Sequence, residues 1–235
     1  MIILPLDFSN NTTYSIDYQS LLTDISRSFP PIFSNSLMQE EYFLNWIEML
    51  QKCDKYICDN NDFYRNMCAV QNEIFEQEIT FSKSTLKVYF SIENAIKFTQ
   101  VNKMEPQTIL CHQLLEDNWL QWTPVNSFDS IQKPNIPIIA CYFPLERKRF
   151  LLIDGNKRLS YAICRNLSSI KMFMLTSNNV LDGKILLSPF ERCYYSMITD
   201  LLNLLTIKQN STISLEYNLF SFSKLPKEKS VISFL

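Results

Sequence analysis

Arg149-Phe150-Leu151-Leu152-Ile153-Asp154-Gly155-Asn156-Lys157-Arg158-Leu159-Ser160-Tyr161-Ala162-Ile163 is the stretch from which this chain is best read. A β-prone apolar run ends in an acid and a glycine, and an apolar repeat at helical spacing begins at once. The pattern predicts a strand, a tight turn and a helix N-terminus. Gly155 is one of two glycines in 235 residues, and it can take backbone angles that a Cβ forbids. The first helical turn behind it leaves backbone N–H groups unpaired beside Lys157 and Arg158, a setting that favours phosphate.

Working outward, the window Glu146 to Arg165 holds Arg147, Lys148, Arg149, Lys157, Arg158 and Arg165 against Glu146 and Asp154. That is about three times the basic density of an even spread, which points to a local anionic partner. The alternative is a solvated hairpin tip at 146–149 and a structural pair between Arg158 and a carboxylate. Arg forks onto phosphate oxygens and Lys acts as a point charge, so Lys157 and Arg158 at a helix start suit a di- or triphosphate. Asp154 is open to three roles: helix cap, Mg²⁺ ligand or proton acceptor. Asn156 either donates its amide to a phosphate oxygen or shapes the turn.

The run Ile153 to Ala162 resembles the strand–turn–helix signature of the ParB/sulfiredoxin superfamily, an Asp-Gly-Asn/His-His/Arg-Arg core followed by Leu and small residues. Lys157 stands where that family mostly has His or Arg, so the charge is kept and the imidazole is not. Asn156 stands where the sulfiredoxin branch has its reactive Cys, which argues against sulfiredoxin chemistry. Asn135-Ile136-Pro137-Ile138-Ile139-Ala140 is similar to the upstream strand of the family, and Ser169 to Leu175 to its closing strand. The resemblance covers roughly residues 105 to 177.

The resemblance implies a small mixed sheet with flanking helices and a nucleotide, ATP, ADP or CTP, whose phosphates lie on Gly155, Asn156, Lys157 and Arg158. Mg²⁺ at Asp154 would accompany them. In the kinase branch an acid upstream of the strand helps activate the substrate hydroxyl, and by that resemblance Glu116 and Asp117 are candidate catalytic carboxylates, beside Asp154 as the proton acceptor read from the turn itself. Members also include DNA-partition clamps and nucleases, so the reaction is not fixed by fold. The leading expectation is a nucleotide hydrolase or phosphotransferase acting on a small-molecule or protein substrate. A ParB-like DNA-binding regulator or nuclease, or an interaction protein with an inactive pocket, is the alternative.

The rest of the chain frames these readings. With 46% hydrophobic and 20% charged residues the composition is that of a folded globular protein. A net charge of −2 exerts no global pull on nucleic acid, and no helix-turn-helix is recognisable, so DNA is disfavoured. The seven cysteines include no Cys-x-x-Cys pair and read as reduced core residues of a cytoplasmic protein. His112, the single histidine, reads as a buried or half-buried structural residue and rules out a histidine-rich zinc site. No apolar run approaches the ~18–20 residues of a membrane span.

The predicted organisation is α+β: a mainly helical N-terminal extension over 1–104, a core over 105–180, and a C-terminal helix and strand over 181–235. Helices are expected near 16–25, 36–57 (with Ser36 and Gln39 as a capping box), 61–78 and 91–102, with strands at 2–4 and 86–90. Tyr42, Trp46 and Tyr64 read as core residues on helical stripes. In the core, strands are expected at 108–111, 136–143, 150–153 and 170–175. A helical turn is expected over 114–122, a loop over 123–135, a hairpin link over 144–148, and a turn through Asn178, Asn179 and Gly183. Ser188-Pro189-Phe190-Glu191 is a helix start with cap, first-turn Pro and third-position Glu in agreement. That helix runs to about 207, and alternation at Ile213, Leu215, Tyr217 and Leu219 predicts a strand.

Overall fold

The computed structural model describes residues 16–60, 62–64, 73–80, 85–116, 119–126, 135–145, 148–210, 223–225 and 231–235. The expected strands at 2–4 and 213–219 lie outside them. In chain order the elements are α1 (Tyr18–Ser28), α2 (Ser36–Asp59), β1 (Ile74–Thr80), β2 (Thr85–Ser91), α3 (Ile92–Val101), β3 (Gln107–Leu110), α4 (Cys111–Glu116), β4 (Leu120–Gln121), β5 (Ile138–Leu145), β6 (Lys148–Asp154), α5 (Asn156–Cys164), β7 (Ser169–Leu175), α6 (Ser177–Asp182) and α7 (Pro189–Asn210). A 3₁₀ turn at Val231–Phe234 follows. The class is α+β, with a five-stranded and a two-stranded sheet. Among the described residues no helix is long and apolar enough to cross a membrane.

Contacts gather the chain into two compact units, one of residues 1–71, 76–89 and 186–235, the other of 72–75 and 90–185. The first thus takes in parts of both flanking segments. Its core lies between α2 and α7, where Tyr42, Trp46, Met49, Leu50 and Cys53 are buried, as are Tyr195, Met197, Leu201 and Leu204. Each such large side chain contributes about 1.5–3 kcal/mol by leaving water. The core reading of Tyr42, Trp46 and Tyr64 holds, all three being buried.

Two buried polar clusters tie this unit together, while Trp46 Nε1 and Asp54 Oδ1 are buried with no hydrogen-bond partner among the described residues. Tyr42 Oη donates to Asp200 Oδ2 at 2.6 Å, Ser223 Oγ donates to the same oxygen at 2.7 Å, and the Lys224 N–H donates to Oδ1 at 2.8 Å. The predicted capping box at Ser188 is present: the Glu191 N–H donates to Ser188 Oγ and the Ser188 N–H to Glu191 Oε2. Glu191 is fully buried and its other oxygen accepts from the Tyr89 N–H at 3.0 Å, so the cap also ties a strand. Burial pushes its carboxyl up to about 7, against the pull of these hydrogen bonds.

Three helix expectations change. Asn35, not Ser36, caps α2, accepting from the Leu37 and Met38 N–H groups, while Gln39 Oε1 accepts from the Ile32 and Phe33 N–H groups just after Pro30 and Pro31. The helix expected over 61–78 is instead strand β1 from Ile74; residues 62–64 are helical, and Met67 and Val70 lie outside the described residues. Pairing with β2 overrides a weak local preference at 74–78. Asn178 and Asn179 belong to a short helix because Thr176 and Asn179 form a reciprocal capping box.

In the second unit the sheet order is β3-β7-β5-β6-β4. β5 pairs antiparallel with β6 and parallel with β7, β3 lies antiparallel on β7, and β4 runs parallel to β6. β5 and β6 form the expected hairpin, Leu145 opposite Lys148. The turn expected over 114–122 is split: Cys111 starts α4 and Leu120–Gln121 is a strand. On one sheet face Ile138, Ala140, Leu152, Ile170 and Met172 form a core with Leu159 and Ala162 of α5 and Cys111 and Leu114 of α4. This core fixes α5 against the sheet and hence the turn that precedes it. His112 is exposed, not buried, because it points away from the face that carries Cys111 and Leu114.

Candidate functional site

β6 delivers Asp154 to the end of the sheet, opposite Ile139 of β5. Gly155 then turns the chain with φ +104° and stands as the N-cap of α5, its carbonyl accepting from the Leu159 N–H at 2.9 Å. A Cβ here would overlap Ile138 Cγ2 and stand 2.8 Å from Ile138 Cβ. Glycine is therefore required twice, for the left-handed backbone and for the closeness of β5.

Asp154 does not cap α5, which has no side-chain cap. Its Oδ2 accepts from Arg158 Nη2 at 2.6 Å in an i,i+4 ion pair whose side chains are 22% and 15% exposed. Arg158 Nη1 also reaches the Ile136 carbonyl at 3.4 Å. The structural pair expected of Arg158 is present, and of the roles open to Asp154 the cap falls away. Five donors on the guanidinium leave more than these two contacts use.

Asn156 shapes the turn: its Oδ1 accepts from the Thr123 N–H at 2.8 Å. Its amide N–H₂ remains a donor. One turn on, Ser160 Oγ accepts from the Val125 N–H at 2.9 Å. The first residues of the predicted 123–135 loop are therefore strapped along α5, and 127–134 lie outside the described residues. Lys157 is exposed, with no ion pair among the described residues. The N-terminus thus presents a positive dipole end, backbone donors with no side-chain cap and one exposed ammonium.

Glu116 is the last residue of α4, and Asp117 lies outside the described residues. Arg147 also lies outside them, while Arg149 and Arg165 are exposed. Among the described residues no group of three or more His, Cys, Asp or Glu could hold a metal ion. A single carboxylate such as Asp154 still fits Mg²⁺ carried by phosphates, because that ion is usually held by one or two carboxylates plus substrate oxygens and water. Of the cysteines, Cys53, Cys111, Cys141 and Cys193 are buried and free; burial raises the Cys141 thiol well above its ordinary range.

Two clefts flank the turn. One of about 450 Å³ is lined by Arg158, Tyr161, Asn135 and the start of β7, and Arg165 lies 5.6 Å from the Tyr161 ring centre. The other, about 490 Å³, is lined by α3, the start of β5 and Asp154. The pair Asp154–Arg158 thus stands between them with one partner in each. Sequence reading missed Ile138 under the glycine and Ser160 as a strap residue. Ser160 lies one turn from Asn156 on the same helix face, a signal that was present. Thr123 and Val125 had none, being 33 and 35 residues from their partners.

No protein-family model, curated protein or solved structure matches the chain.

Proposed function

We propose that the chain is a ParB/sulfiredoxin-like protein that binds a nucleoside di- or triphosphate on the first turn of α5. The observation that carries this is the uncapped helix start behind a left-handed Gly155, with Lys157 exposed beside it. Phosphate oxygens are the ligand such a turn accepts best, since backbone N–H groups and the helix dipole act together. Asn156 Nδ2 and the remaining Arg158 donors add directed hydrogen bonds, and Arg158 is held in place by Asp154 before any ligand arrives. Mg²⁺ bound with the phosphates would neutralise charge during hydrolysis or phosphoryl transfer. Asp154 would hold that ion through its second oxygen.

Calorimetry with ATP, ADP and CTP, with and without Mg²⁺, tests the reading. The parent should bind at least one of them, and the variant carrying Lys157→Ala and Arg158→Ala should bind about a hundredfold more weakly, the loss of two charge-assisted contacts. Unchanged affinity in a folded double variant would refute it. Phosphate release with the bound nucleotide then decides between a hydrolase or transferase and a binding protein. Duplex DNA bound tighter than about micromolar at physiological salt, with a steep salt slope, would favour the regulator reading instead.

A further inference from the structure

The cleft of about 490 Å³ beside α3 has the size of a small-molecule site. Its body is apolar, with Ile96, Ile136 and Phe173 among the lining residues, and its charged lining residues are Lys103, Glu105 and Asp154. Arg158, which pairs with Asp154, does not line it. Asp154 thus lines the cleft while its partner does not; Arg158 occupies Oδ2, which leaves Oδ1 for a ligand, and Glu105 is a second acid against Lys103. Asp154 is 22% exposed, so a charge brought to it is partly withdrawn from water and counts for more than at an open surface.

The rim is rigid. α3 ends in a Schellman arrangement, in which the Met104 N–H donates to the Thr99 carbonyl at 2.9 Å and the Lys103 N–H to the Gln100 carbonyl at 3.1 Å. Lys103 holds φ +49° there, where glycine is the usual occupant. Ile96 and Ile136 are 38% and 43% exposed, so two large apolar side chains face solvent at the mouth.

We propose that this cleft binds a small organic amine, its apolar body against Ile96, Ile136 and Phe173 and its ammonium on Asp154. The inference rests on the cleft and on Asp154 and needs no nucleotide; because Mg²⁺ on the second oxygen of Asp154 would compete with the amine, the titrations are made without Mg²⁺ or nucleotide. The test uses the full chain and three probes with one body and different ends: 2-phenylethylamine, 2-phenylethanol and 3-phenylpropanoate. Titrations followed by amide chemical shifts should place the amine at residues 96–105 and 136–139, with affinity about tenfold above the alcohol, the increment of one charge-assisted hydrogen bond. The carboxylate should bind most weakly.

Ile96→Arg fills the mouth and adds a cation without touching a buried position. It should abolish amine binding while thermal melting and nucleotide affinity stay at parental values. Lys103→Gly relieves the left-handed strain and removes the one opposing cation, so it should tighten amine binding. Equal affinity for the three probes, no binding by any of them, or parental amine binding by Ile96→Arg would overturn the proposal.

Discussion

Replacing Gly155 with alanine adds one methyl group, and the structure fixes what that methyl meets. It overlaps Ile138 Cγ2, stands 2.8 Å from Ile138 Cβ and 3.3 Å from Arg158 Nε, on a backbone held at φ +104°. Arg158 Nε belongs to a long side chain that can shift, but Ile138 is fully buried in the sheet and cannot. Left-handed strain on a residue with a Cβ costs about 1–3 kcal/mol, and overpacking a core costs about 1–3 kcal/mol more. A loss of about 2–6 kcal/mol is a large part of the ~5–15 kcal/mol that keeps a protein folded. At about 2–4 °C per kcal/mol for a chain of this size, melting should fall by about 5–20 °C.

The assay is thermal and urea unfolding of four proteins: parent, Gly155→Ala, Ile138→Ala, and both together. Ile138→Ala alone should cost about 2–5 kcal/mol as a cavity. In the double variant the new methyl takes part of that space, so the two losses should fall short of additivity by at least about 1 kcal/mol. Gly155→Val, which adds β-branching at positive φ, should lose stability and nucleotide binding together. Parental melting by Gly155→Ala, or additivity within about 0.5 kcal/mol, would refute the argument that β5 lies hard against the turn.

Arg158→Ala breaks a partly exposed ion pair and should destabilise by about 1 kcal/mol in urea unfolding, much less than Gly155→Ala. Glu191 governs part of the pH dependence. Its folded pKa, about 7, lies above its ordinary 4.5, so the native state holds the proton more tightly and stability falls as pH rises from about 4.5 through 7. Melting temperature measured from pH 5 to 8 should decline, and Glu191→Gln should flatten that decline while lowering stability throughout by about 1–3 kcal/mol, because an amide N–H₂ must face one of two backbone N–H donors. Tyr42→Phe leaves the buried Asp200 with one donor fewer and should cost about 1–3 kcal/mol in urea unfolding.

Local chemistry made the turn legible. A β-prone run, a glycine needed for its backbone and a helical apolar repeat act within a few residues, so 149–163 could be read before any contact was known. The same holds for α2, whose apolar stripe is long, and for Ser188-Pro189-Phe190-Glu191, whose cap closes on itself. Where partners are distant the sequence was silent or misleading. Ile74–Thr80 is a strand because β2 pairs with it, and Leu120–Gln121 is one because β6 runs alongside. The role of Asp154 turned on whether its carboxylate met the helix start or Arg158, two local options of similar energy that the folded chain resolved for the ion pair. The cleft beside it exists only through assembly. Its walls come from α3, the start of β5 and β7, brought together by strand pairing and by burial of the faces opposite, and no spacing along the chain encodes that enclosure.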